Sequence, residues 1–345
     1  MKRIQSLQKE LKRRKLSAVL ITEKINVQYL CGFIGSHGKL FVTPKRATLI
    51  TDFRYLVSAK KMLPKGVGIY DHKKKLDKLI GRAKSLGFEE QHLTVSQYKT
   101  LKKVLPKIKL LPVSGLVEEV RAIKKEEEMK IIRKAVRITE ECLALWIKGV
   151  KVGMSEDDLE WSLRAIARGL GAEGFSFEPI ITFGKNTADV HHSKEPSRLK
   201  KKEHLLIDFG LKYKGYCTDM TRVFFTGESC KTVQKIYSIV CQANQAAVKA
   251  VKIGRKFSEI DKAGRDVIVK AGYGKAFGHS LGHGVGLEVH ESPTVNPLCT
   301  ETVKPGMLFT IEPGIYIEGV GGVRIEDMVY VNKKGRAEVL TKSAQ

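Results

Sequence analysis

Five residues in the C-terminal half constrain the fold of this chain most, because a shared role would require distant segments to meet. They are four carboxylates and one imidazole: Asp208, Asp219, His283, Glu312 and Glu326. They stand in the segments IDFGLKYKGYCTDMTR, HSLGHGVGLEVHE, TIEPGIY and VRIEDMV. An oxygen-rich set of this kind suits two divalent cations, which together can hold a hydroxide and polarise a carbonyl for amide hydrolysis. The pattern therefore predicts a metal site.

The local pattern places these residues at strand ends. The apolar run 205–207 predicts a buried strand that Asp208 closes, and residues 217–225 predict the second strand of a hairpin. Glu312 follows a strand-like run at 307–311. In the alternating run 323–326 the period of two puts Arg324 and Glu326 on one face. Charged side chains on the inner face of a sheet are costly unless they are paired or bind a metal.

These motifs resemble a known family. From about residue 126 onward the chain is similar to the M24 metallopeptidases with the pita-bread fold, and the whole chain resembles their aminopeptidase P and prolidase branch. The segments HSLGHGVGLEVHE, GMLFTIEPGIYI and GGVRIEDMV carry the resemblance. NTADVHH resembles the segment of the first substrate-site histidine, although Val190 stands where the family usually has proline. TDFRY, residues 51–55, resembles part of the N-terminal domain of this branch.

The resemblance implies a role for each metal ligand. Asp208 would bind one metal alone, Asp219 and Glu326 would bridge two metals, and His283 and Glu312 would complete the second. A hydroxide bridging the metals would attack the substrate. Two divalent ions per chain are expected, with Mn²⁺ as the choice and Co²⁺, Zn²⁺ or Fe²⁺ as alternatives.

The resemblance also implies catalytic and substrate-binding residues. Glu312 would be the general base, and His279 would stabilise the developing oxyanion. His290 and Arg324 would hold the substrate backbone. His191 would contact the proline side of the cleaved bond, and the adjacent His192 is an alternative for that role.

The function implied is an Xaa-Pro aminopeptidase that acts on small peptides with proline second. An Xaa-Pro dipeptidase, a prolidase, is the main alternative. A methionine aminopeptidase is less favoured because of the large N-terminal region and the VHESP motif. A non-catalytic pita-bread binding protein and a metal-free creatinase-like hydrolase are disfavoured by the complete ligand set. Relatives commonly pair, so a homodimer is expected.

The rest of the sequence predicts two domains, as its 345 residues suggest. Residues 1–123 are expected to form a creatinase-like α/β domain, and residues 124–345 an α+β pita-bread catalytic domain. In the first, residues 18–21, 40–42, 48–51 and 93–95 predict strands, and residues 55–62, 76–86 and 98–104 predict helices. In the second, capping boxes at Ser155 with Asp158 and at Ser258 with Asp261 predict helix starts.

Charge and composition limit the partners and the compartment. The net charge is +25, and residues 1–125 carry 29 Lys and Arg against 9 Asp and Glu. These lysines lack interleaved aromatic residues and a nucleic-acid motif, so a solvated basic surface is expected rather than a nucleic-acid partner. No apolar run is long enough for a membrane span. The N-terminus lacks a signal-peptide core, and the six cysteines lack a C-x-x-C pair, so a cytoplasmic protein with reduced thiols is expected.

Overall fold

The computed structural model describes residues 2–81 and 83–342. The chain divides into two compact units, Met1–Arg121 and Ala122–Gln345. This division falls close to the boundary that the sequence predicts between residues 123 and 124. Within the described ranges, no helix has both the length and the apolar character needed to cross a bilayer.

The first unit alternates helices and strands. In chain order its elements are α1 (Lys2–Arg13), β1 (Val19–Ile21), α2 (Lys24–Cys31), β2 (Gly38–Val42), β3 (Ala47–Thr51), α3 (Leu56–Met62), β4 (Val67–Asp71), α4 (Leu76–Ile80), β5 (Ser85–Glu89), α5 (Val95–Val104), β6 (Lys109–Val113) and α6 (Glu118–Ala122). The strands form one sheet in the order β4-β3-β2-β1-β5-β6, with both parallel and antiparallel neighbours. The predicted α/β domain is confirmed.

Two local predictions in this unit are wrong. Residues 93–95 do not form a strand, because the Thr94 side chain accepts a hydrogen bond from the Gln97 amide and starts α5. The helix predicted over 76–86 ends at Ile80, and Gly81 follows with a positive φ of 61°. Residues 85 and 86 belong to β5 instead, and Arg82 lies outside the described residues.

The second unit combines long helices with antiparallel sheets. Its elements are α7 (Glu126–Gly149), α8 (Glu156–Gly169), β7 (Gly174–Phe175), β8 (Ile180–Phe183), β9 (His204–Phe209), β10 (Leu211–Tyr213), β11 (Tyr216–Cys217), β12 (Met220–Phe225), α9 (Lys231–Ala250), α10 (Phe257–Lys270), β13 (Gly282–Gly284), β14 (Glu291–Val295), β15 (Leu308–Ile311), β16 (Gly314–Ile317), β17 (Gly321–Arg324), β18 (Asp327–Val331) and β19 (Ala337–Val339). The predicted α+β class is confirmed.

Two sheets of this unit matter most for the candidate site. One has the order β12-β9-β8, and the other has the order β14-β13-β15-β18-β19. Two apolar clusters support them: α7 and α8 pack on the first sheet, and α9 and α10 pack on the second. Because these cores are fully buried, the strand ends that carry charged residues are held in fixed positions.

Candidate metal centre

Each predicted ligand lies at or beside the end of a strand. Asp208 is near the end of β9, where it pairs with Thr221 of β12. Asp219 directly precedes β12, Glu312 directly follows β15, and Glu326 directly precedes β18. His283 is the middle residue of β13. The hairpin between Asp208 and Asp219 was predicted, but β11 and β12 are separate strands, and Asp219 lies between them.

The structure brings all five predicted ligands into one cleft of about 460 Å³. His283 Nε2 lies 3.5 Å from Asp219 Oδ2 and 3.3 Å from Glu312 Oε1. Ligand atoms of Asp219, His283 and Glu326 all lie within 4.8 Å of one another. The segments that the sequence predicts to converge therefore do so.

The cleft holds more buried carboxyl groups than its cationic side chains can pair. Asp208 forms an ion pair with Arg324, yet its Oδ1 atom is buried and has no hydrogen-bond partner among the described residues. The Oδ1 atom of Asp219 is in the same situation. A buried carboxylate oxygen without a donor is costly, and a divalent cation would satisfy it. The donor set, rich in oxygen with one imidazole, fits such ions.

The pKa shifts follow from this crowding. Burial, followed by repulsion from Glu326 and Asp208, raises the pKa of Asp219 well above its usual range. Burial, followed by repulsion from Glu312 and Asp208, likewise raises the pKa of Glu326 well above its usual range. Burial also acts on Glu312, but the hydrogen bond and charge of His283 outweigh it and lower the pKa of Glu312. Glu312 therefore keeps its charge most readily of these three.

Threonines that sequence reasoning missed orient the carboxylates. Thr221 Oγ1 donates to Glu326 Oε2 at 2.8 Å, and it accepts from Arg324 Nε at 3.1 Å. Thr310 Oγ1 donates to Glu312 Oε1 at 3.2 Å and accepts from the His283 amide at 3.1 Å. Thr221 shares the strand period of Asp219, which is the signal that could have indicated it.

Tyr316 is a further residue that the sequence did not indicate. Its hydroxyl accepts from Arg324 Nη1 at 2.8 Å and lies 3.0 Å from His279 Nε2. A continuous polar chain therefore links Asp208, Arg324, Tyr316 and His279. Burial lowers the pKa of His279, so its ring is neutral at neutral pH. The available signal was that Tyr316 stands four residues after the predicted ligand Glu312, in the same segment TIEPGIY.

The predicted substrate-site histidines separate into two groups. His191, His279 and His290 line the cleft. His290 packs edge-on against His283, with ring centroids 4.3 Å apart. His192 is turned away, and its Nε2 lies 3.0 Å from Glu156 Oε1. Of the two adjacent histidines, His191 is the one that the structure places in the cleft.

A second group of ligand-type side chains lies in the first unit. It consists of His37, which precedes β2, Asp52, which follows β3, and His72, which follows β4. Their ligand atoms lie within 4.8 Å of one another. Both carboxylate oxygens of Asp52 accept hydrogen bonds from Arg54. This carboxylate is satisfied by protein donors, unlike Asp208 and Asp219.

Comparison with known proteins extends the sequence resemblance. Residues 3–123 match the creatinase/prolidase N-terminal domain, and residues 130–333 match metallopeptidase family M24. The uncharacterized peptidase YqhT of Bacillus subtilis is 35% identical over 330 residues, which are 94% of this chain and 93% of YqhT.

Solved structures share the whole two-domain architecture. An Xaa-Pro dipeptidase from Bacillus anthracis is 37% identical, with a TM-score of 0.94 over 100% of this chain and 98% of that one. An X-Pro aminopeptidase from Thermotoga maritima is 32% identical, with a TM-score of 0.87 over 96% and 97%. The predicted creatinase-like domain followed by a pita-bread domain is confirmed. The chain therefore belongs to metallopeptidase family M24 and is a hydrolase with a creatinase/prolidase N-terminal domain.

Proposed function

We propose that this chain hydrolyses the peptide bond between a first residue and a following proline, with two divalent cations bound in the cleft. The observation that carries the proposal is the excess of buried carboxylates, two of which keep an oxygen without a partner among the described residues. The family membership and the Xaa-Pro activities named for the Bacillus anthracis and Thermotoga maritima relatives support the choice of substrate.

The family resemblance suggests one division of the ligands between the two metals. In this proposal Asp208 would serve one metal, Asp219 and Glu326 would serve both, and His283 and Glu312 would complete the other. The contacts of His283 with Asp219 and Glu312, at 3.5 and 3.3 Å, are compatible with shared coordination. Two bound divalent cations would supply an activated water and a polarised scissile carbonyl.

Glu312 is the general base of this proposal. Its lowered pKa keeps the carboxylate free to accept a proton at neutral pH. Thr310 and His283 fix the orientation of its Oε1 atom. The proton taken by Glu312 would then pass to the nitrogen of the leaving proline, because an amine must be protonated to leave.

His279, Tyr316 and Arg324 would hold the scissile carbonyl and the substrate backbone. Neutral His279 donates from Nδ1 to the Ser280 carbonyl at 2.7 Å, so its Nε2 atom accepts from the Tyr316 hydroxyl at 3.0 Å and orients that hydroxyl without adding charge to the cleft. Tyr316 connects it to Arg324, whose guanidinium also contacts Asp208. Such preorganised donors stabilise charge that develops on the carbonyl oxygen.

The cleft that His191 and His290 line suits proline. An Xaa-Pro bond has no amide hydrogen, so recognition must use the ring and the carbonyl groups. Phe177, Ile180 and Val190 add apolar surface to this cleft. Imidazoles beside an apolar wall can accept a compact ring and bind the adjacent carboxylate or carbonyl group.

We favour an Xaa-Pro dipeptidase, because the Bacillus anthracis dipeptidase is the more similar of the two solved relatives. An aminopeptidase acting on longer peptides is the second candidate, supported by the Thermotoga maritima enzyme. Manganese as the metal, a homodimeric assembly and a cytoplasmic location stay predictions. Metal analysis of protein as purified and light scattering would test the first two.

A peptide series tests the proposal. Metal-loaded protein is given Xaa-Pro, Xaa-Pro-Yaa, Xaa-Ala-Yaa and Met-Ala-Yaa under identical conditions. Replacing proline by alanine should lower kcat/KM at least about tenfold, near 1.4 kcal/mol of transition-state binding. Cleavage of Xaa-Pro alone would identify the dipeptidase, and cleavage of Xaa-Pro-Yaa the aminopeptidase. Equal cleavage of alanine peptides, or preference for Met-Ala-Yaa, would contradict the proposal.

A further inference from the structure

The segment that carries His191 has little support of its own. Residues 189–197 contain no helix or strand, and most of their side chains are exposed. The exceptions are Val190 and Ser197, which are partly buried, and His192, whose side chain is buried. A side chain on such a segment is held accurately only if the segment is anchored elsewhere.

The most buried anchor is Glu156, in the first turn of α8, and Lys194 of the segment also pairs with Glu160 of this helix. Glu156 is 1% exposed, which is unusual for a carboxylate. Its oxygens lie 3.0 and 3.1 Å from His192 Nε2. They also accept from the Glu195 amide at 3.1 Å and the Ser197 hydroxyl at 3.4 Å. One buried carboxylate therefore collects three separate donors from the segment that follows His191.

Burial gives these contacts their strength. A desolvated carboxylate is strongly unfavourable without donors, and His192, the Glu195 amide and Ser197 of this segment supply them. His192 is itself buried, with 4% of its side chain exposed, whereas the adjacent His191 points into the cleft. Because the two residues are consecutive, fixing the ring of His192 restricts the backbone from which His191 projects.

We infer that Glu156 is a positioning residue, which acts through His192 to hold His191 against the proline side of the substrate. This inference rests on the proposed function for the role of His191. It assigns His192 to the scaffold rather than to the reaction. It also explains why a helix N-terminus outside the cleft carries a fully buried acid.

Asp157 provides a matched control on the same helical turn. It contacts the same segment through Lys194 Nζ at 2.9 Å, but its side chain is 69% exposed. Exposed ion pairs contribute little to stability or position. The variant Asp157→Asn should therefore change neither the amide exchange rates of residues 189–197 nor KM and kcat by more than about twofold.

The experiment combines hydrogen exchange with kinetics on full-length, metal-loaded protein. In Glu156→Ala and His192→Ala, amides of residues 189–197 should exchange at least about tenfold faster, while β9 is unchanged. Both variants should raise KM for an Xaa-Pro substrate about tenfold with a smaller change in kcat. Added to His191→Ala, the Glu156→Ala change should have almost no further effect, because both act on one contact.

The outcomes separate this inference from the proposed function. Unchanged exchange of residues 189–197 in both variants would overturn the inference whatever the activity. Faster exchange with an unchanged KM would overturn it as well. So would a double variant, His191→Ala with Glu156→Ala, in which the effects of the two single changes on KM multiply. If the wild-type protein cleaves no Xaa-Pro peptide, the proposed function fails, and with it the role of His191 that the inference needs. Exchange would then still report separately whether Glu156 anchors the segment.

Discussion

Glu326 and Asp327 are consecutive buried acids that the fold treats in opposite ways. Asp327 accepts from Arg222 Nη2 and from the Thr341 hydroxyl, both at 2.8 Å, and Arg222 is itself 1% exposed. Glu326 faces the cleft, where Thr221 donates to it and other carboxylates surround it. One acid is paired with a protein cation, whereas the other lies among like charges.

The difference indicates where function resides. A buried acid with its own arginine stabilises the position of a strand and needs nothing from solution. A group of buried acids with too few cations is unfavourable for the isolated protein and is maintained only if a ligand compensates it. Consecutive side chains of a strand point to opposite faces, so Glu326 faces the cleft while Asp327, the next residue, contacts Arg222.

The largest expected effect comes from removing a cleft acid. Asp219→Ala or Glu326→Ala should lose both metals, because each is proposed to bridge them, and Xaa-Pro hydrolysis should fall by about 10³-fold or more. Metal content per chain and kcat/KM measure this directly. Full activity in Asp219→Ala would mean that the ligand assignment is wrong.

Changing the paired acid, Asp327, should lower the stability of the protein but leave its metal binding unchanged. Asp327→Asn leaves Arg222 buried without its carboxylate, so the free energy of unfolding should fall by about 3–5 kcal/mol. The folded fraction should still bind the same number of metal ions. Urea unfolding and metal analysis of the same sample would show it. If Asp327→Asn had normal stability but bound no metal, Asp327 would have a role in metal binding and not in stability, contrary to this comparison.

The pH dependence of metal-free protein sharpens the comparison. The pKa of Asp219 is raised in the folded state, so its contribution to stability is present below its unfolded pKa and is lost as pH rises through the folded value. As pH rises above about 4, the unfolded pKa of an aspartate, wild-type Tm should therefore fall relative to that of Asp219→Asn. Thermal unfolding in chelator measures the difference. A wild-type Tm that rose relative to the variant would contradict the raised pKa.

The smallest of these effects concerns Tyr316. Tyr316→Phe removes the hydroxyl between Arg324 and His279 but leaves every proposed ligand in place. Loss of a hydrogen bond to a charged group should reduce kcat/KM about tenfold, with metal content unchanged. Steady-state kinetics with matched metal loading would check this. Loss of metal in this variant would show that Tyr316 supports the ligands instead.

The sequence predicted the elements whose signals are local. The strands β1, β2 and β3 and the capping box of Ser155 with Asp158 were confirmed, since each depends on residues close in the chain. The box predicted at Ser258 with Asp261 was wrong. Asp261 pairs with Arg265 inside α10, and Lys256 with Glu259 forms the start instead. Ser258 is the second residue of α10 and not its N-cap, so its spacing from Asp261 does not mark the start of the helix.

The candidate site was predictable for the same reason. The five proposed ligands stand in four recognisable segments, so the set could be identified from the sequence alone. The contacts of Thr221 with Glu326, of Tyr316 with His279 and of Glu156 with His192 could not be predicted, because each joins residues far apart in the chain. Glu156 and His192 are separated by 36 positions, and only the packing of α8 brings them together.

The most direct test of the account is a metal titration of the metal-free, full-length protein, followed by both binding and Xaa-Pro hydrolysis. We predict two divalent ions per chain, activity that appears as the sites fill, and complete loss of activity on chelation. Full Xaa-Pro hydrolysis by protein that holds no metal would contradict the claim that the unpaired carboxylates of this cleft form a metal centre. Failure of the protein to bind any divalent ion would contradict it equally.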